Sequence, residues 1–191
     1  MIRHSQPTRD ERLVIGITGH IGAGKTSAAQ YLCSMHGFQY LRYSQVLSEW
    51  KDQQAKAHLQ EIGWEVMTKG MQGELNRRLI AQVQPDSDVA VDGLRHPLDY
   101  ESLDHSFAPS FHLLFIDCSQ EQRWSRKRIQ DNYRTLASFE AANSHSVEQY
   151  IHSLRTNAVS VLTNEGSLQD LYAALDVAIR GLKKAGHRPS T

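Results

Sequence analysis

The chain has 191 residues, 40% of them hydrophobic and 22% charged, which suits one globular domain with a sizeable core but is cramped for two. Its 21 basic residues balance its 21 acidic ones, which argues against a protein that holds nucleic acid mainly through its phosphates. The chain has only two cysteines, and no apolar run approaches the ~20 residues of a membrane span. The first twelve residues show no secretory signal. We therefore expect a cytoplasmic protein with no membrane partner.

Strands and helices alternate along the sequence. Short β-branched or apolar runs predict five strands, over residues 13–17, 38–43, 88–92, 111–117 and 158–162. Helical spacing predicts helices over residues 25–35, 120–130 and 168–184, and a mostly helical segment over residues 44–83 with breaks at Gly63 and around Gly70 and Gly73. This alternation predicts a three-layer α/β/α fold around a five-stranded parallel sheet. We expect a flexible N-terminus over residues 1–11, a single domain over residues 12–184 and a tail over residues 185–191.

A phosphate-binding motif lies between the first predicted strand and the first predicted helix. Residues 19–26 read GHIGAGKT and match the P-loop pattern G-x-x-x-x-G-K-[ST] in full, although an ordinary glycine-rich turn is the alternative. Glycines let the backbone curl so that successive N–H groups face a polyphosphate, and the following helix N-terminus adds a favourable dipole. Lys25 would bridge the terminal phosphates of ATP, and Thr26 would ligate Mg²⁺. The predicted nucleotide-binding residues here are Gly19, His20, Ile21, Gly22, Ala23, Gly24, Lys25, Thr26 and Ser27.

Asp92 and Arg95 follow a predicted strand that should lie beside the first one, at the carboxyl edge where α/β sheets bind ligands. The Asp92 carboxylate could help to hold Mg²⁺ or accept the acceptor's proton, or it could only cap the turn after its strand. Arg95 could clamp an anionic acceptor or form a surface salt bridge. We predict the functional role for both residues.

Basic side chains crowd the predicted helix over residues 120–130. Arg123 and Arg126 share a face of this helix because they are three residues apart. A lid that closes over transferring phosphates needs such a cluster, whereas a solvated helix face is the plainer alternative. We predict that both arginines act in phosphoryl transfer.

The sequence resembles one group of P-loop kinases in several segments, which occur in the correct order from about Leu13 to Ile179. Residues 15–26 are similar to the opening of the dephospho-coenzyme A kinase and nucleoside monophosphate kinase group. Residues 91–97, VDGLRHP, resemble the DG-I-R-x-P segment of dephospho-coenzyme A kinase-like and deoxynucleoside monophosphate kinase-like proteins. Residues 164–168, NEGSL, resemble the N-x-G-S-L turn that lies close to the adenine in that fold.

This resemblance implies a P-loop NTPase fold with a helical acceptor-binding insertion near residues 44–83 and a mobile lid near residues 123–146. It also implies transfer of the γ-phosphoryl group of ATP, with Mg²⁺ held by Thr26 and Asp92. The catalytic residues would be Lys25, Asp92, Arg123 and Arg126. Nucleotide contacts would also come from Asn164 and Gly166, and acceptor contacts from Tyr43, Gln45 and Arg95.

Two functions from different classes fit these features. The first is an ATP- and Mg²⁺-dependent kinase of a small phosphorylated acceptor, with a (deoxy)nucleoside monophosphate favoured and dephospho-coenzyme A kinase-like activity as an alternative. The second is a nucleotide-binding regulatory module with little or no turnover. It is motivated by residues 44–48, SQVLS, where the family usually has Ser-Asp-x-Leu-Arg: Gln45 cannot act as a base and Ser48 cannot pair bidentately with a phosphate. Either function makes small-molecule nucleotides the partners, and the balanced charge argues against a third, nucleic-acid-binding role.

Overall fold

The structure is a computed structural model that describes residues 12–51, 59–129, 135–145, 148 and 150–186. Its five strands are β1 (Val14–Thr18), β2 (Gln39–Arg42), β3 (Val89–Asp92), β4 (Phe111–Asp117) and β5 (Ser160–Thr163). They form one sheet in the order β2–β3–β1–β4–β5, and every neighbouring pair is parallel. The predicted α/β fold with five parallel strands is therefore confirmed.

Helices connect the strands and cover both faces of the sheet. Within the described residues they are α1 (Lys25–His36), α2 (Tyr43–Lys51), α3 (Leu59–Thr68), α4 (Gln72–Ile80), α5 (Pro97–Phe107), α6 (Gln120–Ile129), α7 (Leu136–Asn143), α8 (Ile151–Leu154) and α9 (Leu168–Gly186). None of these described helices combines the length and the apolar character needed to cross a membrane.

Each face of the sheet has its own hydrophobic core, because successive strand side chains point to opposite faces. On one face, Ile15 and Ile17 of β1 pack with apolar residues of α1 and α9, among them Leu32 and Leu175. On the other face, the neighbouring β1 residue Val14 packs with apolar residues of α2, α3, α4 and α5. The sheet therefore lies between two helical layers, as the sequence predicts.

The glycines of the helical segment behave differently from the prediction. Gly63 does not break a helix: it lies inside α3, where an added Cβ would be 3.7 Å from Leu47 of α2, an ordinary packing distance. Gly73 also lies inside a helix, in the first turn of α4. Only Gly70, with φ +67°, takes the left-handed conformation that separates α3 from α4. The predicted break at Gly63 is wrong because helical backbone there meets no steric conflict, whereas the break predicted around Gly70 and Gly73 is found between Thr68 and Gln72.

Several predicted boundaries shift or fall outside the described residues. The fifth strand begins at Ser160 rather than at residue 158, because a 3₁₀ turn (Arg155–Asn157) comes before it. The last helix continues to Gly186, so residues 185 and 186 of the predicted tail are helical. Outside the described residues lie the predicted N-terminus over 1–11, residues 187–191 of the tail, residues 52–58 of the insertion, and residues 130–134 and 146 of the lid.

The strand order places a crevice at the carboxyl ends of β1 and β3. These two strands are neighbours, yet the chain leaves β1 for α1 on one face and leaves β3 for α5 on the other. Loops that diverge in this way open a space between them, where α/β proteins bind ligands. The loop over residues 19–24 and the loop over residues 93–96 are therefore placed together.

Asp99 fixes the second of these loops to the helical layer. It is 1% exposed in the first turn of α5, and its Oδ2 accepts hydrogen bonds from the backbone N–H groups of Arg95 and His96, both 2.9 Å long. Its Oδ1 accepts a 2.5 Å hydrogen bond from the side-chain amide of Gln72 in α4. Burial raises the pKa of this carboxyl, and these donors oppose the rise. Asp99 therefore connects the loop after β3 to α4 and α5.

Replacing Asp99 with Ala should destabilise the protein substantially. The change leaves a buried amide and two backbone N–H groups without their acceptor, so we expect the free energy of unfolding to fall by about 2–4 kcal/mol. Urea denaturation followed by circular dichroism measures this loss. Glu101→Ala, an exposed substitution in the same helix, should change it by less than about 0.5 kcal/mol. Equal losses in the two variants would contradict this assignment.

Candidate functional site

The loop between β1 and α1 follows a path that only glycine allows at two positions. Gly19, with φ +141°, and Gly24, with φ +104°, both have backbone conformations that other residues rarely adopt. An added Cβ on Gly19 would lie 2.3 Å from the Ile116 carbonyl oxygen, and one on Gly24 would lie 2.5 Å from Asn164 Nδ2. These distances are too short for non-bonded atoms, so the curled path depends on the absence of a side chain at both positions.

The first turn of α1 faces the space enclosed by this loop. Gly24 is the residue before the helix and Lys25 and Thr26 are its first two residues. The first N–H groups of a helix have no acceptor within the helix, and Gly24 brings no side chain to cap them. The curled loop and the helix start therefore present N–H donors to an anion, which is what the predicted P-loop requires.

Lys25 reaches back over the loop. Its Nζ donates hydrogen bonds to the carbonyl oxygens of Gly19, at 2.6 Å, and His20, at 2.9 Å, and the residue is 9% exposed. Burial, and after it the charge of the Arg95 guanidinium, lower the pKa of this ammonium group to about 7, and the Asp92 carboxylate opposes the shift. An anion in the loop would favour the charged form of this lysine.

Asp92 is the centre of a group of polar side chains from three elements. Its Oδ2 accepts hydrogen bonds from Thr26 Oγ1, at 2.8 Å, and from the Tyr40 hydroxyl, at 3.1 Å, and lies 3.6 Å from Arg42 Nε. Asp92 is 2% exposed. Burial and then the charge of Asp92 raise the pKa of Tyr40 to about 12, so the phenol stays protonated and donates to the carboxylate.

The Thr26 and Asp92 oxygens fit a magnesium site. A hydroxyl and a carboxylate 2.8 Å apart at the start of α1 are the oxygen ligands that Mg²⁺ prefers, with waters and phosphate oxygens completing its shell. The described residues contain no cluster of three or more His, Cys, Asp or Glu side chains suited to a metal. A metal held by these two residues would therefore need phosphate oxygens as additional ligands, as in other P-loop sites.

Arg123 supports the outer side of the loop. It is 5% exposed, and its guanidinium donates to the carbonyl oxygens of Ile21, at 3.0 Å, and Cys118, at 3.2 Å, and to Asn143 Oδ1, at 2.6 Å. Gly22 is also close to this side, since an added Cβ there would lie 3.1 Å from Arg123 Cβ. The structure thus places Arg123 against the P-loop backbone and links it to α7 through Asn143.

Arg126 lies one turn further along α6, beside the turn before α9. Its guanidinium donates to the Gly166 carbonyl oxygen, at 3.1 Å, and to Asn164 Oδ1, at 3.4 Å. Asn164 is 2% exposed and donates from Nδ2 to the Ala23 carbonyl oxygen, at 2.8 Å. The predicted adenine turn is therefore connected to the phosphate loop by one buried amide side chain.

Glu148 brings a carboxylate to the other side of the loop. It is 3% exposed, its Oε1 pairs with the Arg95 guanidinium, and its Oε2 accepts a 3.2 Å hydrogen bond from the Ile21 backbone N–H. The same Oε2 lies 3.5 Å from Nδ1 of His20. Burial, and after it the positive charges of Arg123 and Lys25, lower the pKa of His20 to about 4, so this imidazole is neutral at pH 7. Arg95 is thus brought to the loop together with a neutralising partner.

Two predicted acceptor residues lie elsewhere in α2. Tyr43 is 5% exposed and packs in the second hydrophobic core, and its hydroxyl has no hydrogen-bond partner among the described residues. Burial, with a smaller effect of Asp99, raises its pKa well above the usual value. Gln45 is exposed and donates a 2.9 Å hydrogen bond to Glu49 one turn away. This bond stays within α2, and a role of Gln45 in acceptor binding remains a prediction.

Sequence reasoning missed Tyr40, Arg42 and Glu148. Tyr40 and Arg42 lie two residues apart on β2, and Arg42 is in register with Asp92 on β3. The sequence offered a signal for these two, since polar side chains at alternate positions on a strand beside Asp92 must point to the same face. Glu148 had no comparable signal, because it follows a polar segment without a regular period.

Solved structures with the same fold include several kinases. The chain is similar to shikimate kinase from Acinetobacter baumannii in complex with shikimate, with 19% identity, a TM-score of 0.60 and coverage of 89% of this chain and 94% of that one. It is similar to dephospho-CoA kinase from Campylobacter jejuni, with 15% identity, a TM-score of 0.54 and coverage of 91% and 99%. It is also similar to TT1252 from Thermus thermophilus, with 21% identity, a TM-score of 0.59 and coverage of 90% and 98%. At these identities the likeness concerns the fold.

A comparison with curated proteins finds no match. The family described as AAA domain, AAA_18, matches residues 15–148, which include the P-loop, Asp92, Arg95, Arg123 and Arg126. That match spans well over half of the sequence and covers most of the elements that build the site. The chain therefore belongs to the AAA_18 family and has the fold of the P-loop kinases.

Proposed function

We propose that this protein transfers the γ-phosphoryl group of ATP, with Mg²⁺, to a small phosphorylated acceptor. The observation that carries the proposal is the position of Lys25 and of the Thr26–Asp92 pair, at the start of α1 and beside a loop whose curled backbone depends on glycine at two positions. Family membership and the kinase fold support phosphoryl transfer as the reaction class. The resemblance of residues 91–97 to deoxynucleoside monophosphate kinase-like proteins favours a (deoxy)nucleoside monophosphate as the acceptor.

The donor nucleotide would occupy the loop and the turn before α9. Loop N–H groups would hold its phosphate oxygens, and Lys25 would exchange its two carbonyl acceptors for the terminal phosphates. Bound Mg²⁺ would neutralise the charge that develops on those phosphates. Asn164 and Gly166 would border the base, and Arg126, which already donates to both residues, would lie beside the base end of the nucleotide.

Arg123 and Arg126 of α6 would contribute to transfer in different ways. Arg123 donates to Ile21 and Asn143 from a buried position, so we assign it mainly to holding the loop in its curled form. Arg126 is half-buried and its bonds to Asn164 and Gly166 are longer, which leaves its guanidinium better able to reorient toward a phosphoryl oxygen. Positioning and charge stabilisation of this kind supply most of the catalysis in phosphoryl transfer.

The acceptor would approach from the side of β2 and β3. Asp92 lies there next to Tyr40 and Arg42, and its carboxylate could take the proton of an acceptor oxygen. Arg42 has a side chain that is 41% exposed and could reach an acceptor phosphate, a role the sequence assigned to Arg95. Dephospho-coenzyme A kinase-like activity is the alternative for this side of the site.

A nucleotide-binding regulatory module is the second candidate. The observation that favours it is that the side chain of Gln45 is bonded to Glu49 of its own helix, while Arg95 is paired with Glu148. ATP would then bind through the loop without efficient transfer to any acceptor.

Replacing Lys25 with Ala should remove turnover. Purified protein is incubated with ATP, Mg²⁺ and a panel of nucleoside monophosphates, deoxynucleoside monophosphates and dephospho-coenzyme A, and ADP and the phosphorylated product are quantified. Loss of the ammonium group should lower the rate on the preferred acceptor about 100-fold or more. Lys69→Ala, on the exposed surface of the helical segment, is the matched control and should retain the rate. Tight ATP binding without any product would favour the regulatory module instead.

The affinity for ATP should fall as the pH rises through about 7. Lys25 has a pKa of about 7 in the free protein, and phosphates beside it would raise that value, so binding above pH 7 must take up a proton. The loss approaches tenfold per pH unit. Titration calorimetry at pH 8 in two buffers of different ionisation heat measures the uptake directly.

Lys25→Met serves as the control for this pH dependence, because it removes the titrating group and leaves the ionisation of ATP itself. The variant should show no proton uptake near pH 8. Proton uptake of the same size in both proteins would assign the effect to another group.

A further inference from the structure

Glu148 occupies donors that the loop would otherwise offer to a ligand. Its two carboxylate oxygens take the Ile21 N–H of the phosphate loop and the guanidinium of Arg95. Backbone N–H groups of a P-loop and an arginine are also the donors that bind phosphoryl oxygens in proteins. The carboxylate of Glu148 is thus bound in the way that an anionic ligand would be.

The surroundings of Glu148 strengthen the repulsion between its carboxylate and an anionic ligand. Its side chain is 2% exposed, so its negative charge is poorly screened by water. Its neighbour His20 is neutral at pH 7, because burial and the charges of Arg123 and Lys25 oppose protonation of the ring. Arg95 is the cation that the carboxylate contacts directly, and a phosphate that approached Arg95 would meet the negative charge of Glu148 as well.

We propose that Glu148 is a specificity-determining residue: an internal anion that competes with ligand phosphoryl groups for Arg95 and for the Ile21 N–H. A ligand with phosphoryl groups must displace this carboxylate or bind against its negative charge, whereas an uncharged ligand does not. Glu148 thereby lowers the affinity of the site for phosphoryl groups and leaves the binding of uncharged ligands unchanged. This inference rests on the proposed binding of a polyphosphate in the loop.

The competition predicts a gain of affinity when Glu148 loses its charge. Glu148→Gln keeps the shape of the side chain and an amide oxygen that can accept the Ile21 N–H, so it removes mainly the negative charge. A unit charge removed about 5 Å from a phosphate, at the effective dielectric of a partly buried site, corresponds to an increase of about tenfold or more in affinity. A residue that only supports the fold would give the opposite sign, since its loss would loosen the loop and weaken binding.

The test measures binding of inorganic pyrophosphate, ATP and adenosine to the full chain by titration calorimetry. Glu148→Gln should bind pyrophosphate and ATP about tenfold more tightly than the unchanged protein and should bind adenosine equally well. Glu140→Gln, an exposed residue of α7, changes the net charge by the same amount and should leave all three affinities unchanged. Equal or weaker pyrophosphate binding by a folded Glu148→Gln protein overturns the proposal.

A second variant keeps the test valid if Glu148→Gln does not fold. Glu148→Asp retains the carboxylate but shortens its reach, so it should hold the Ile21 N–H less well and bind pyrophosphate more tightly. Weaker binding by Glu148→Asp would overturn the proposal. Absence of kinase turnover with the expected gain in affinity would contradict the proposed function alone, whereas normal turnover without that gain would contradict this inference alone. Absence of pyrophosphate binding in all variants would overturn both.

Discussion

The chemistry of this protein depends on the backbone path between β1 and α1. Gly19 and Gly24 hold conformations and contacts that exclude any side chain, and their close neighbours are the Ile116 carbonyl of β4 and the amide of Asn164. Both neighbours come from parts of the chain about a hundred residues or more away. The curled loop is therefore a product of the assembled sheet, and the local sequence alone would not hold it in this form.

The cations around the loop already have acceptors within the protein. Lys25 donates to two carbonyl oxygens, Arg123 to two carbonyls and an amide, and Arg95 to Glu148. A bound anion thus exchanges one set of hydrogen bonds for another, so its net gain comes from charge rather than from the number of bonds. Burial strengthens the electrostatic attraction between these cations and an anion. Burial also explains why the pKa of Lys25 falls to about 7 in the free protein.

The parts of the fold that follow from local pattern could be predicted from the sequence. The five strands, the P-loop and the place of Asp92 beside β1 rest on β-branched runs, glycine spacing and the rule that parallel strands end at one edge. Gly63 was misjudged because a glycine can also lie inside a helix, where its small size suits packing against Leu47. The helix that begins at Pro97 was missed, although a proline at the first helical position and the capping side chain of Asp99 are typical of a helix start.

The site was less predictable because its contacts join distant parts of the chain. The hydrogen bond between Tyr40 and Asp92 crosses 52 positions, and that between Ile21 and Glu148 crosses 127. The alternation on β2 places Tyr40 on one face of its strand but does not identify Asp92 as its partner, and no local period marks Glu148. In the sequence, Glu148 looks like an ordinary surface residue, and its carboxylate gains buried partners only in the folded protein. Charge pairing of this kind needs the tertiary structure before it can be read.

The buried amide of Asn164 has a further consequence for how a ligand's two ends communicate. Its nitrogen is bonded to Ala23 in the phosphate loop, while its oxygen is bonded to Arg126 beside the turn that borders the base. A rearrangement of Arg126 would therefore change the hydrogen bonds of Asn164, which also contacts the phosphate loop. If a nucleotide binds with its base and its phosphates at these two places, as proposed, a change in affinity caused at one end would be matched by an equal change at the other.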